Sequence, residues 1–339
     1  EHGSTEQQDL AEMLGRKKYL RYAGLGAVAP DIFYFYHIFQ RKKARKAQYW
    51  GNALHHRRVF EFVQALLDHA RQEEDLDRKW KKMAFALGYL CHCAVDIVTH
   101  PYIFYITGDY YSNDAARAEE AQINHLRVEY TLDAYLIHER WRLHPHQYHF
   151  LQYADCRERG PNGLRLDLDI WQMLVESLQR VFKNDFAEHY IGSAREIVPG
   201  DIINESFLGF LRFNRVVDSR FFIVRLLLRL IDFLTFRRLK IRNLILPVPA
   251  AIDRRLANEE NRLWKYPGDP SQTSSESFMD LVHRAGRASA DAMTEAYLYL
   301  QGRANLKDLR AKYHGFNLDT GLRSESIEMV EFDVIPDNS

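Results

Sequence analysis

Leu87-Gly88-Tyr89-Leu90-Cys91-His92-Cys93-Ala94-Val95-Asp96-Ile97-Val98-Thr99-His100-Pro101 is the stretch that decides how this chain reads. It is apolar almost throughout, as a buried helix is. His92, Asp96 and His100 recur every fourth residue. Each such step turns the side chain only ~40° and rises ~6 Å, so all three project from one face. Burying two imidazoles and a carboxylate on an apolar face is costly unless they are paired or bound to metal. His92 and His100 lie ~12 Å apart along the axis, too far to share one ion whose bonds to nitrogen are near ~2 Å. His92 with Asp96 can chelate one ion. His100 then serves another, or Asp96 bridges two. Pro101 is expected to end or kink the helix.

A second row repeats the pattern. His125-Leu126-Arg127-Val128-Glu129 sets a histidine and a carboxylate one turn apart, and Asp133 extends the row. With His100 these residues make a His-His-Glu set that leaves a coordination position open for water or phosphate. Asp133 is the expected partner orienting a ligand. Sites this rich in nitrogen, mixed with carboxylate, suit zinc. Two such rows close together are far harder to obtain by chance than one buried histidine satisfied within a core.

Outward from these rows, the 339-residue chain reads as all-α. Apolar residues recur at three- and four-residue spacing over about 6–20, 56–73, 77–99, 114–141, 168–189, 202–216, 219–242, 247–262 and 275–301. Ser112 to Asp114 is suited to cap the helix that follows. Arg159-Gly160-Pro161-Asn162-Gly163 and Tyr266-Pro267-Gly268-Asp269-Pro270 are breaks. The alternation Val330–Phe332–Val334 predicts one short strand. Residues 1–150 hold 12 of the 15 histidines, so they are expected to form the metal-binding catalytic core. Residues 151–339 are then a helical second half that completes the fold, with contact to a membrane or partner as a further role open to it.

Charge excludes some classes. The 46 basic and 46 acidic residues cancel, so no overall pull towards nucleic acid is indicated. Cys91, Cys93 and Cys156 make no disulfide framework and read as small buried residues. The polar start, Glu1 to Gln8, holds no apolar signal-peptide core, and no run of ~18 uncharged apolar residues predicts a transmembrane helix. The compartment is left open between secreted and cytoplasmic. One local exception to the charge balance stands out. From Arg220 to Arg242 there are seven basic residues against one acid, Asp232, interleaved with leucine, isoleucine and phenylalanine. Such a helix either packs its apolar stripe on the domain with its arginines solvated, or lies on an anionic membrane.

Weaker candidates remain. Asp31 in Ala29-Pro30-Asp31 is equally an ordinary helix-capping residue. Of the adjacent pair His55-His56, only one can face a site, and His55 is preferred. His144, His146 and His149 read as a solvated or substrate-side group.

In order, Gly26-Ala27-Val28-Ala29-Pro30-Asp31, Leu54-His55, His92-x3-Asp96-x3-His100-Pro101 and His125-x3-Glu129 resemble the zinc-dependent phospholipase C family, and the catalytic domain of glycosylphosphatidylinositol-specific phospholipase D. The likeness spans about residues 2–133, with looser pieces around Trp264, the 276–300 helix and Asn317-Leu318-Asp319-Thr320-Gly321. It implies an all-α phospholipase C or single-strand nuclease-like domain with clustered zinc. Asp31, His55, His92 and Asp96 would hold the first ion, and His100, His125 and Glu129 the second. Asp96 would bridge to a third, held by His2. His100 follows Asp96 by four, closer than in the secreted bacterial enzymes and nearer the phospholipase D branch. The implied activity is hydrolysis of a phosphodiester, most simply a phospholipid head group, with Asp31 orienting or deprotonating the attacking water. A nuclease or nucleotidase on the same scaffold, and a metal-binding protein without catalysis, are the alternatives.

Overall fold

The computed structural model describes residues 4–38, 40–143, 149–216, 222–234 and 246–337. The expected ligand His2, and also His144 and His146, lie outside them. Helices α1 (Thr5–Gly15), α2 (Lys17–Gly26), α3 (Arg41–His56) and α4 (Val59–Gln72) lead into α5 (Leu76–Thr107). Then follow α6 (Ala115–Tyr135), α7 (Leu168–Val181), α8 (Lys183–His189), α9 (Ile202–Val216), α10 (Phe222–Leu234), α11 (Phe278–Leu300) and α12 (Lys307–Tyr313). Two small antiparallel hairpins, β1 (Arg157–Gly160) with β2 (Gly163–Leu166) and β3 (Trp264–Tyr266) with β4 (Asp269–Ser274), sit at the two breaks read from the sequence. The fold is all-α.

The centre is α5. It packs against α2, α4, α6, α7 and α11. Asp75 caps its start by accepting from the Arg78 N–H at 2.9 Å. Long and apolar as it is, its most apolar 18-residue window is 78% buried inside the protein, as a core helix is. It does not end at Pro101 but runs on to Thr107. Proline there removes one hydrogen bond, to the Ile97 carbonyl, which the rest of a long, packed helix tolerates. One cluster of buried residues runs from Leu10 to Leu318 and takes Trp50, Phe85, Trp171 and Phe207 together. A second joins α5 to α6 through Val98, Tyr102, Val128 and Leu132, and includes Trp264.

Two glycines set the crossing of α2 over α5. A Cβ on Gly26 would lie 2.1 Å from the Phe85 carbonyl oxygen, and one on Gly88 would lie 2.0 Å from that of Ala23. Only hydrogen fits at either position, so the two backbones touch. This contact delivers the turn after α2, with Ala27 and Asp31, to the level of His92.

Several expected elements differ. The 6–20 helix is two helices, broken where Arg16 turns extended. Helix α3 carries a basic start and a sparse apolar row, Ala44, Ala47, Trp50 and Leu54, too weak a pattern to stand out. The expected 247–262 helix is replaced by two short 3-10 turns, Pro249–Ala251 and Arg254–Ala257. Prolines 247 and 249 restrict its start, and Asn258 stops it in the left-handed region (φ 48°). Residues 330–334 form no strand and pair with none among the described residues. Instead the Asp333 and Ile335 N–H groups donate to the Tyr105 and Ile106 carbonyls, at 2.9 and 3.0 Å. These belong to the last four carbonyls of α5, which have no partner within the helix.

Candidate metal centre

Two groups of ligand-type side chains stand side by side along α5. Asp31, His55 and His92 form one, and His100, His125 and Glu129 the other, with the ligand atoms of each group within 4.8 Å of one another. Asp31 opens a short 3-10 turn directly after α2. His55 lies in the last turn of α3. Helix α6, capped by Asp114 on the Ala116 and Arg117 N–H groups, buries Val128 and Leu132 against α5 and so turns His125 and Glu129 towards His100.

Asp96 lies between the groups. One carboxylate oxygen, Oδ2, is 2.9 Å from His92 Nε2 and 3.8 Å from His55 Nε2. The other, Oδ1, is 3.8 Å from His100 Nε2. Asp31 Oδ1 is 3.3 Å from His55 Nε2. In the second group Glu129 Oε1 is 3.2 Å from His125 Nε2 and 3.8 Å from His100 Nε2. Ligand atoms of one tetrahedral zinc, with bonds near ~2 Å, stand roughly 3.3 Å apart. These separations fit two such ions with small adjustments.

The proton positions fit as well. His55 Nδ1–H donates to the Gly51 carbonyl at 2.7 Å, and His92 Nδ1–H to the Ala27 carbonyl at 3.0 Å. The Nε2 lone pairs are thereby aimed at carboxylates. A lone pair facing a carboxylate is repulsive unless a proton or a metal cation lies between them. His92 Nε2 and Asp96 Oδ2 are buried and, though close, have no hydrogen-bond partner, as two ligands of one cation would be. With protons alone to balance the site, burial opposes every charge, yet the reciprocal attraction prevails. The Asp31 contact and the Asp319 and Asp96 charges push His55 up to about 9. His100 is also raised, chiefly by Asp96 against its burial, and Asp96 is lowered, chiefly by His100 and His92.

One participant was not assigned a role from the sequence. Asp319, buried, comes from the loop after α12. Its Oδ1 lies 3.5 Å from His100 Nδ1, and its Oδ2 accepts from His56 Nε2–H at 2.6 Å and from the Tyr111 hydroxyl. Burial opposes its charge, but the contacts from His100 and His56 hold its carboxyl well below the usual range. The Asn317-to-Gly321 piece was visible as a motif, but nothing in the sequence said where it lands. His56 therefore faces Asp319, and His55 faces the first group. Asp133, the expected orienting partner, hydrogen-bonds to none of these side chains and instead lines the cavity, open to it. His149 joins neither group.

Both groups line a cavity of about 1060 Å³ whose other walls are mainly apolar, among them Phe35, Phe150 and Phe210 on one side and Phe278, Val282 and Met293 of α11 on another. Each group could hold a metal ion, in a cavity open to an amphipathic ligand.

A family model described as zinc dependent phospholipase C matches residues 5–183, which contain all the side chains of both groups and Asp96. No curated protein and no solved structure matches the chain.

Proposed function

The chain belongs to the zinc-dependent phospholipase C family, a family of hydrolases, and from that premise we propose that it cleaves a phosphodiester bond of a phospholipid. The observation that carries this reading is the pair of ligand groups joined by Asp96. Asp31, His55, His92 and Asp96 would hold one zinc, and His100, His125 and Glu129 a second, the latter with a position left for substrate or water. When bound there, zinc would offset the charge of the phosphodiester and make water a stronger nucleophile near neutral pH.

The chain's own groups do the rest. Asp31 is the most accessible carboxylate of the first group, its side chain 41% exposed. It orients the attacking water and takes up its proton. The carbonyls of Gly51 and Ala27 hold His55 and His92 in the tautomer that offers Nε2. Asp319 steadies His100 from behind. The apolar walls receive the glyceride part of the substrate and shed water, which strengthens every charge interaction at the centre. Residues 1–150 thus carry the ligands, and 151–339 complete the cavity.

The test is release of a phosphorylated head group from phospholipid vesicles, with and without a chelator, run beside single-stranded DNA. Head-group release that the chelator abolishes supports the reading. Cleavage of DNA in its place points to the nuclease alternative, and zinc binding with neither activity to a non-catalytic protein. Asp31→Asn should lose hydrolysis even with zinc supplied to saturation. Unchanged turnover would remove Asp31 from its role.

A further inference from the structure

Helix α10 (Phe222–Leu234) sits on the molecule the wrong way round for a soluble protein. Ile223, Leu226, Leu227, Leu230, Ile231 and Leu234 follow one another at three- and four-residue spacing and form a single stripe along the helix. All six are exposed, Ile223 at 72%, and Phe233 beside them at 73%. Asp232, about 180° around the helix from Ile223 and Leu234, is buried, at 3%. A surface helix normally buries its apolar stripe and shows its polar side to water. Here the apolar side faces out and an acid faces in. Packing of the stripe on the domain, the first reading of 220–242, is therefore overturned for the described residues 222–234. Single exposed leucines are ordinary, but a contiguous apolar strip marks a surface that something covers.

The chemistry of the cover follows from charge. The segment 220–242 carries seven basic residues and one acid, and that acid, Asp232, is the buried one. A second copy of the chain would bring two such cationic segments together, which charge repulsion opposes. An anionic bilayer offers both an apolar layer for the stripe and negative head groups for the basic residues. The chain on either side of the helix also reaches the metal centre. Phe210 and Asn214 of α9, before it, and Leu246, after it, line the cavity. A helix seated at the level of the head groups would present that cavity to the layer where phosphodiesters lie.

We propose that α10 is an interfacial helix that docks this protein on an anionic phospholipid membrane through Ile223, Leu226, Leu227, Leu230, Ile231, Phe233 and Leu234. Docking needs no turnover, so its test stands apart from the hydrolase reading. The protein is floated with vesicles of phosphatidylcholine and phosphatidylserine, and with vesicles of phosphatidylcholine alone. The wild type should float with the mixed vesicles and much less with the neutral ones. Ile223→Ser/Leu230→Ser/Phe233→Ser should lose binding by about tenfold or more, since the apolar area carries interfacial affinity. It should keep its thermal midpoint and its hydrolysis of a soluble short-chain phospholipid. Leu230→Trp should bind at least as well as the wild type, because tryptophan favours the interface. The proposal is overturned by equal floating with both vesicles, by no floating at all, or by a triple variant that still binds. It is equally overturned if light scattering finds a wild-type dimer that the triple variant breaks into monomers.

Discussion

Replacing Gly88 by alanine should disable the first ligand group without touching any of its ligands. The new Cβ would stand 2.0 Å from the Ala23 carbonyl oxygen, 2.8 Å from its carbon and 3.0 Å from its Cα. All three are backbone atoms, so no side chain can swing aside, and α2 must retreat by about 1 Å or more to reach even a tight van der Waals contact. Ala27 lies one turn further along the same stretch of chain, and its carbonyl accepts from His92 at 3.0 Å. A retreat of that size takes this hydrogen bond to roughly 4 Å, beyond reach. Overpacking costs about 1–3 kcal/mol and the lost buried hydrogen bond about 1 kcal/mol. The better helix propensity of alanine returns up to about 1 kcal/mol. A net loss of about 1–3 kcal/mol lowers the thermal midpoint by roughly 2–10 °C. Asp31 moves with α2, whereas His100, His125 and Glu129 stand on α5 and α6. Zinc content per chain should therefore fall by one ion, not by all. The assay is calorimetry with elemental analysis of the purified variant, beside Gly15→Ala, whose Cβ would meet nothing within 4 Å. A Gly88→Ala protein with the wild-type midpoint and full metal content would refute the argument that backbone contact positions the site.

Three further outcomes follow from the same geometry. Asp96→Asn, which weakens the one carboxylate shared by both groups, should lower hydrolysis by about 100-fold or more and reduce zinc at both positions; loss at only one would show that Asp96 does not bridge. Asp319→Asn should weaken zinc binding about 10- to 100-fold, seen in a competition titration against a chromophoric chelator, and should leave one ion bound as tightly as before; two unaltered affinities would show that His100 needs no orienting carboxylate. Stripping metal with a chelator should lower the thermal midpoint, since a ligand present at 100 times its Kd adds about 2.7 kcal/mol, and zinc should restore it; an unchanged midpoint would mean that the groups hold no metal in the folded protein.

What the sequence disclosed about this site, and what it hid, divides along a physical line. A helix converts spacing into direction, so His92, Asp96 and His100, and separately His125 and Glu129, were legible as rows before any coordinates. The separation of His92 from His100 along the axis already required two positions, and the structure shows two groups. The all-α class followed from the same periodicity. Segments whose conformation is decided by their neighbours were not legible. The C-terminal stretch alternates like a strand, yet it pairs with the end of α5, because free helix carbonyls accept hydrogen bonds as readily as a strand does. Pro101 reads as a stop, but packing against α2, α4, α6, α7 and α11 carries α5 past it.

Asp319 shows why the hidden part matters to the chemistry. The family match, residues 5–183, contains every candidate ligand within the described residues. It does not contain Asp319, which lies beside one of them, His100. Asn317, fully buried, accepts from the Asp319 and Thr320 N–H groups and folds the loop on itself. Gly321, at φ 64°, turns the loop against α5 where a Cβ would meet the Pro101 ring at 2.5 Å and the Ile97 carbonyl at 2.6 Å. The Leu318 N–H donates to the His55 carbonyl at 2.8 Å, so the loop is tied to the end of α3 as well. The carbonyl that Pro101 leaves without its helical hydrogen bond is thus the place where a glycine lets the distant loop approach. That approach sets Asp319 behind His100 and beside His56. The motif at 92–101 therefore specifies two things at once: its His-Asp-His face presents the ligands, and its proline face receives the loop that holds them. A fragment ending at residue 183 would keep the whole ligand set, and it would lose the contacts that aim His100.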